Sequence, residues 1–239
     1  MEHSYIVVAA GQDLAYLDER RWLHLCARTG SMQFLSPPPQ REGDILGLCD
    51  GDSVRDITGF CAQLCEQAET CGAVFADLEH SGWTGLIAAL DTEAHRRGLT
   101  CYVPLSMSDA APHSVLTVST AISGGSLRQY FQTLLYRHGE GRIAALLERT
   151  SMRFCLPSDQ PDGELLNAKE REQLLLQHGS TVFFSSELCA NYFTYGDQNG
   201  SYFVLFDDKN TFSRKLEILE ALGIRDCFVL YPDAEEFSL

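Results

Sequence analysis

Short apolar runs alternate with amphipathic stretches along this chain, and that alternation predicts parallel β/α units. Eight runs read as strands, at 5–10, 32–35, 45–49, 73–78, 101–107, 115–121, 152–156 and 227–231. Their unbroken apolar character suits strands buried on both faces, as barrel strands are. Asp52 or Ser53 can cap a helix in which Val54, Ile57, Cys61, Leu64 and Ala68 recur at helical spacing, ending before Gly72. Segment 83–97 repeats the pattern through Leu86, Ile87, Leu90 and Ala94 and closes at Gly98. Segment 126–149 reads as one long helix, or as two interrupted at Gly139 and Gly141; 167–178 and 211–222 read as two more, each followed by glycine.

Two regions depart from the alternation. Ser36-Pro37-Pro38-Pro39-Gln40 is incompatible with a helix, so the second unit is expected to lack one. Within 181–207, Asp197-Gln198-Asn199-Gly200 separates two aromatic-rich runs, which predicts a β-hairpin turning at Asn199-Gly200. No linker or repeat divides the chain. The expectation is a single domain over 1–239: a small (β/α)8 TIM barrel, with the hairpin inserted before the last helix. A doubly wound open sheet is the rival. It usually carries a glycine-rich phosphate loop after its first strand, and Ala9-Ala10-Gly11-Gln12-Asp13 has one glycine.

Composition narrows the function. The net charge of −15 repels phosphate backbones and anionic bilayers, so neither nucleic acid nor membrane is an expected partner. No apolar stretch approaches the roughly 20 residues of a membrane helix. The N-terminal apolar run lacks a basic flank, which leads to the expectation of a cytoplasmic protein. Nine cysteines, mostly inside apolar runs and without a CxxC pair, read as reduced, buried thiols. The seven histidines have no metal-ligand spacing, and neither a metal nor another cofactor is implied. Oligomeric state is not fixed by the sequence.

In a barrel, functional groups stand at the C-terminal ends of the strands. Those ends carry Asp50 and Asp52, Asp77 and Glu79, Asp109, Ser119 and Thr120, Ser158 and Asp159, and Tyr231 and Asp233. Acidic and hydroxylic groups dominate, which disfavours an anionic substrate. Asp77 and Glu79 are two apart and point to the same side of their strand. Such a pair pushes one pKa upward and keeps a proton for acid catalysis; solvated strand-end acids are the alternative reading. His80 is placed to orient either acid. Trp83 and Tyr102 suit either a sugar-stacking platform or the core, and Asp109, Asp159 and Tyr231 complete the candidate binding residues.

Two segments resemble the family 18 glycoside hydrolases, especially the small bacterial branch related to spore-cortex and LysM-bearing enzymes. Gly72-Ala73-Val74-Phe75-Ala76-Asp77-Leu78-Glu79 is similar to that family's fourth-strand DxxDxDxE motif in its final D-x-E. Residues Phe206-Asp207-Asp208 through Lys215-Leu216 resemble its FDDxxSxxxKL segment, with Thr211 at the Ser position. The resemblance implies a barrel acting on N-acetylhexosamine glycans such as chitin or peptidoglycan by substrate-assisted hydrolysis. Glu79 would be the general acid, and Asp77 would orient the acetamido group. The sequence departs from the pattern in three places. Phe75 and Gly72 replace motif aspartates, Val118-Ser119-Thr120 replaces the acetamido-binding Tyr-Asp of the sixth strand, and the eighth-strand Trp becomes Tyr231 or is lost. Glycan or protein binding without turnover therefore stands beside hydrolysis. A different small-molecule enzyme using Asp77, Glu79 and Asp159 is a third reading.

Overall fold

Along the barrel strands, side chains two apart enter one of two apolar layers. Val7, Leu48, Val74, Ala76, Leu116 and Val118 belong to an outer layer shared with the helices. Ile6, Val8, Leu23, Ile45, Phe75, Tyr102, Ala144 and Phe228 form an inner one made of strand residues alone. Strands buried on both faces can satisfy their backbone without an edge only by closing. In the computed structural model, which describes residues 5–30, 33–157 and 163–237, they close into an eight-stranded parallel barrel.

The strands in barrel order are Ile6–Ala10, Trp22–Arg28, Ile45–Cys49, Ala73–Asp77, Thr100–Pro104, Val115–Ser119, Ile143–Leu146 and Cys227–Leu230. The first pairs with both the second and the eighth, which closes the ring. The number and parallel order agree with the sequence reading, but two assignments change. The second barrel strand is Trp22–Arg28; Gln33–Phe34 only adds an antiparallel edge to it, and Met32 lies outside the described residues. The seventh is Ile143–Leu146, inside the segment read as helix, and the helix there stops at His138.

Met152 to Leu156, read as the seventh strand, instead joins a separate antiparallel sheet. Its strands run in the order Glu164–Leu165, Ser151–Leu156, Gly200–Phe206, Ala190–Asp197 and Phe183–Ser185. The expected hairpin is its centre, with Asn191 opposite Phe206 and Asp197 opposite Gly200 at the turn. Helix Ala168–His178 covers one face through Leu174 and Leu175 against Phe193, Tyr195 and Phe206. The whole insertion leaves the barrel after the seventh strand and returns at helix Lys209–Ala221.

The helices start and stop on local chemistry. Ile57–Ala68 is capped by Asp56, whose side chain accepts from Gly59 N at 3.0 Å, a few residues past the expected Asp52 or Ser53. Thr84–Arg97 ends at Gly98, whose φ of 73° is a left-handed cap that favours glycine. Among the described residues between the second and third strands there is no helix, in keeping with the prolines.

Candidate functional site

The C-terminal ends of the strands form the barrel mouth, and a cavity of about 100 Å³ opens there. Val8, Leu23, Leu25, Phe75, Leu146, Leu147, Phe228 and Leu230 give it apolar walls, and its polar groups are the carboxylates of Asp77 and Glu148. Below it, Phe75 meets Phe228 edge-on, with ring centroids 5.0 Å apart, and Tyr102 meets Phe228 the same way at 5.2 Å. These three rings fill the barrel axis. The aromatic at the motif position of Phe75 therefore forms the floor under Asp77.

Asp77 ends the fourth strand, paired in register with Cys49 of the third. Leu78 is fully buried in the outer layer, while Asp77 and Glu79 on either side are exposed, and of the two only Asp77 lines the cavity. Although one edge of Asp77 meets solvent, its apolar surroundings push the carboxyl above the ordinary carboxylate range. The negative charges of Glu79 and Asp50 push it the same way. Among the described residues Asp77 has no hydrogen-bond donor or cation to offset this. Burial also raises the Cys49 thiol, as does the charge of Asp77.

Glu148 lies two residues beyond the end of the seventh strand. The Ser119 hydroxyl, at the end of the sixth strand, donates to Glu148 Oε2. The same hydroxyl oxygen accepts the Ala121 amide at 3.0 Å, so the serine is held from both sides. Arg149, next in the chain, does not line the cavity; it pairs with Asp233 at 3.0 Å and with Glu236, both just past the eighth strand. Glu148 was not legible in the sequence because residues 143–149 read as helix. The signal that would have found it is the seventh-strand assignment itself.

The other candidate residues are dispersed. Tyr102 is buried in the inner layer and its hydroxyl donates to Asp226 at 2.9 Å. Asp226 immediately precedes the eighth strand, so this phenol points to the opposite rim. Burial and the Asp226 carboxylate push its pKa up. Trp83 is half-buried against the outer layer, ahead of helix Thr84–Arg97. His80 Nδ1 accepts the Gly82 amide at 3.0 Å and closes the turn that leads there. Asp109 is exposed on the turn after the fifth strand. Tyr231 packs against the outer layer, stacked on Tyr16 at 5.4 Å and near Trp22 at 5.7 Å, while Leu230 is the eighth-strand residue on the cavity. Asp159 and Ser158 lie outside the described residues. The structure thus brings Asp77 and Glu148 to one cavity, with Glu79 close enough for its charge to act on Asp77 but, like Trp83, Tyr102 and Tyr231, not among the residues that line it.

The second resembling segment is a joint. Asp207 and Lys215 form an ion pair at 2.7 Å with both side chains fully buried. Asp207 also accepts from the Thr150 amide at 2.8 Å and from the Thr211 hydroxyl at 2.7 Å. Asp208 and Thr211 exchange backbone and side-chain bonds as a capping box at the start of helix Lys209–Ala221. Thr150 is where the chain leaves for the inserted sheet and Asp207 is where it returns, so one carboxylate ties both ends. The nine thiols are unpaired, and burial raises those of Cys61 and Cys65 to about 12 and about 11, as suits inert core groups.

No protein-family model and no curated protein matches the chain in sequence. Solved structures do match in shape. The spore cortex-lytic enzyme SleL of Bacillus megaterium is 12% identical with a TM-score of 0.62, over 95% of this chain and 70% of that one. A chitinase from Chromobacterium violaceum is 13% identical with a TM-score of 0.61, over 96% and 94%. A glycoside hydrolase family 18 N-acetylglucosaminidase from Paenibacillus barengoltzii is 11% identical with a TM-score of 0.57, over 95% and 94%. At such identities the likeness is one of fold: this chain shares its β/α barrel with structures that include a family 18 N-acetylglucosaminidase.

Proposed function

We propose that the barrel mouth hydrolyses N-acetylhexosamine-containing glycans, with Glu79 as general acid. The observation that carries this reading is the disposition of Asp77-Leu78-Glu79. Burial of Leu78 in the outer layer anchors the chain there and leaves the acids on either side exposed just past the strand, which supports this reading. Similar barrels named as chitinases and an N-acetylglucosaminidase support the substrate class. In the mechanism implied by the resemblance, Glu79 protonates the glycosidic oxygen and the substrate's acetamido oxygen attacks the anomeric carbon. Asp77 holds the acetamido group, and its raised pKa suits a carboxyl that shares a proton with its partner. No cofactor enters this chemistry.

A second reading is a barrel that binds a glycan or a protein without turnover. Its specific support is the cavity, which is far smaller than the about 300–1,000 Å³ of ordinary ligand pockets and has Leu230 where an aromatic floor would serve a sugar. The two readings separate in one assay with aryl N-acetylglucosaminides and chitooligosaccharides. Hydrolysis by the wild type, with kcat lowered about 10²–10⁴-fold in Glu79→Gln, is the expected result. Equal turnover by the variant would remove Glu79 from the reaction. Saturable binding with no product would establish the second reading.

A further inference from the structure

We infer that the outer wall of the barrel carries a second binding site, at Trp22 and His24, which takes a neutral small molecule with an apolar ring body and one hydroxyl group. Among the described residues the first and second strands are joined through the short 3-10 turn Gly11–Tyr16, and no helix joins the second to the third. Leu14, Leu17 and Asp18 from the first connection meet Ser36 to Arg41 from the second around Trp22 and His24. Between them lies a cavity of about 690 Å³. That is within the about 300–1,000 Å³ of ordinary ligand pockets. By alternation the second strand turns Trp22 and His24 outward and Leu23 and Leu25 inward, onto the mouth. The two cavities therefore stand on opposite faces of one strand.

The lining selects the ligand. Leu14, Leu17, Pro37, Pro38 and Pro39 give an apolar wall, stiffened by the prolines, that suits a ring. The charged groups are already engaged. Asp18 accepts from Trp22 Nε1 at 3.2 Å and pairs with Arg20 at 2.8 Å. Arg41 pairs with Asp44 at 2.6 Å and donates to the carbonyls of Asp18 and Arg20. With each carboxylate opposed by an arginine, a charged ligand finds no free counter-ion to offset its desolvation.

Two polar atoms remain. His24 is 5% exposed, and its Nε2 lies 3.3 Å from Asp44 Oδ2 but out of line for a hydrogen bond. Ser36 also lines the cavity, and its Oγ is buried with no hydrogen-bond partner among the described residues. Buried polar atoms are seldom left so, because the lost hydration is not made good. Burial pushes the His24 imidazole below its ordinary pKa, against the pull of the Asp44 carboxylate, so near neutral pH the ring has one donor and one acceptor nitrogen. A hydroxyl both donates and accepts, and can serve imidazole and serine together. An apolar ligand serves neither.

The experiment titrates the full chain, labelled in its histidine rings, with p-cresol, toluene and p-toluate, and follows binding by NMR and calorimetry. The three probes share one ring and differ in carrying a hydroxyl, nothing polar, or a carboxylate. The expected result is a saturable shift of the His24 ring with p-cresol, binding of toluene about two- to tenfold weaker, and p-toluate weakest. Ser36→Ala should weaken p-cresol by that same factor and leave toluene unchanged. Leu17→Glu, an exposed position on the cavity wall, should weaken both. Glu79→Gln should bind p-cresol as wild type does, which separates this site from the proposed hydrolysis. No saturable shift at His24 in folded wild type overturns the inference, since water then serves both atoms. Equal binding of p-cresol and toluene, untouched by Ser36→Ala, overturns it, and so does a preference for p-toluate.

Discussion

Asp77 sits on an apolar floor with two like charges nearby and no donor of its own among the described residues, and its titration reports that setting. Its carboxyl should titrate above the ordinary value of about 3.9. Glu79→Gln and Asp50→Asn should each lower the midpoint by removing a repulsive charge. Carbonyl-carbon NMR of the labelled side chain measures this directly, and a midpoint unchanged in both variants would exclude the charge contribution. Stability follows with a definite sign. The native chain binds this proton more tightly than the unfolded one, so rising pH through the native pKa removes stability. Asp77→Asn should abolish that loss, and its Tm advantage over wild type should widen from pH 4 to pH 7. At this scale alternation reached Asp77, which ends its strand on the cavity wall, but Glu79 lies two residues past that strand, where alternation no longer fixes its side. Tyr231 was not legible either: one residue separates the inward Leu230 from the outward ring, and that parity depends on where the strand starts.

Between elements, the decisive contact is Asp207 with Lys215, buried where the inserted sheet and the barrel share a corner. Removing one partner leaves an uncompensated charge in the interior. Asp207→Ala is therefore expected to cost about 3–5 kcal/mol in urea unfolding. The double variant Asp207→Asn with Lys215→Met should recover much of that, since an apolar pair needs no desolvation. Additive losses would show that the two residues act separately. The most specific sequence resemblance thus lies in a fold-holding joint, which explains why it signals the barrel more firmly than the chemistry. The misplaced strands have physical causes as well. Trp22–Arg28 carries His24 on its outer face, beside the Asp44 carboxylate at 3.3 Å, so its apolar run is broken. Ile143–Leu146 is short and alanine-rich, and its helical propensity gives way to pairing with strands six and eight. Met152 and Phe154 pack with Ala190 and Leu205 on one face of the inserted sheet while Cys155 and Leu156 are exposed, so the run suits an antiparallel sheet with two unlike faces.

Across the whole molecule, a charge of −15 sets a negative field that the mouth concentrates, with Asp50, Asp77, Glu79, Asp109 and Glu148 at or just past the strand ends and, among the described residues, no basic side chain on the cavity wall. Fields of this kind act on a ligand before contact and are screened over about 30 Å at 0.01 M salt but only about 3 Å at 1 M. A neutral chitooligosaccharide should therefore bind more tightly than a chain of equal length bearing carboxylates, such as one with lactyl or uronic acid groups. The preference should shrink as salt rises, because only the charged ligand is repelled at long range. Titration calorimetry of both ligands at 0.01 M and 0.5 M salt tests this. A preference independent of salt would place the discrimination in direct contacts at the rim, and a preference for the carboxylated chain would mean that a cation beyond the cavity wall, such as Arg28 at the end of the second strand, outweighs the acidic mouth.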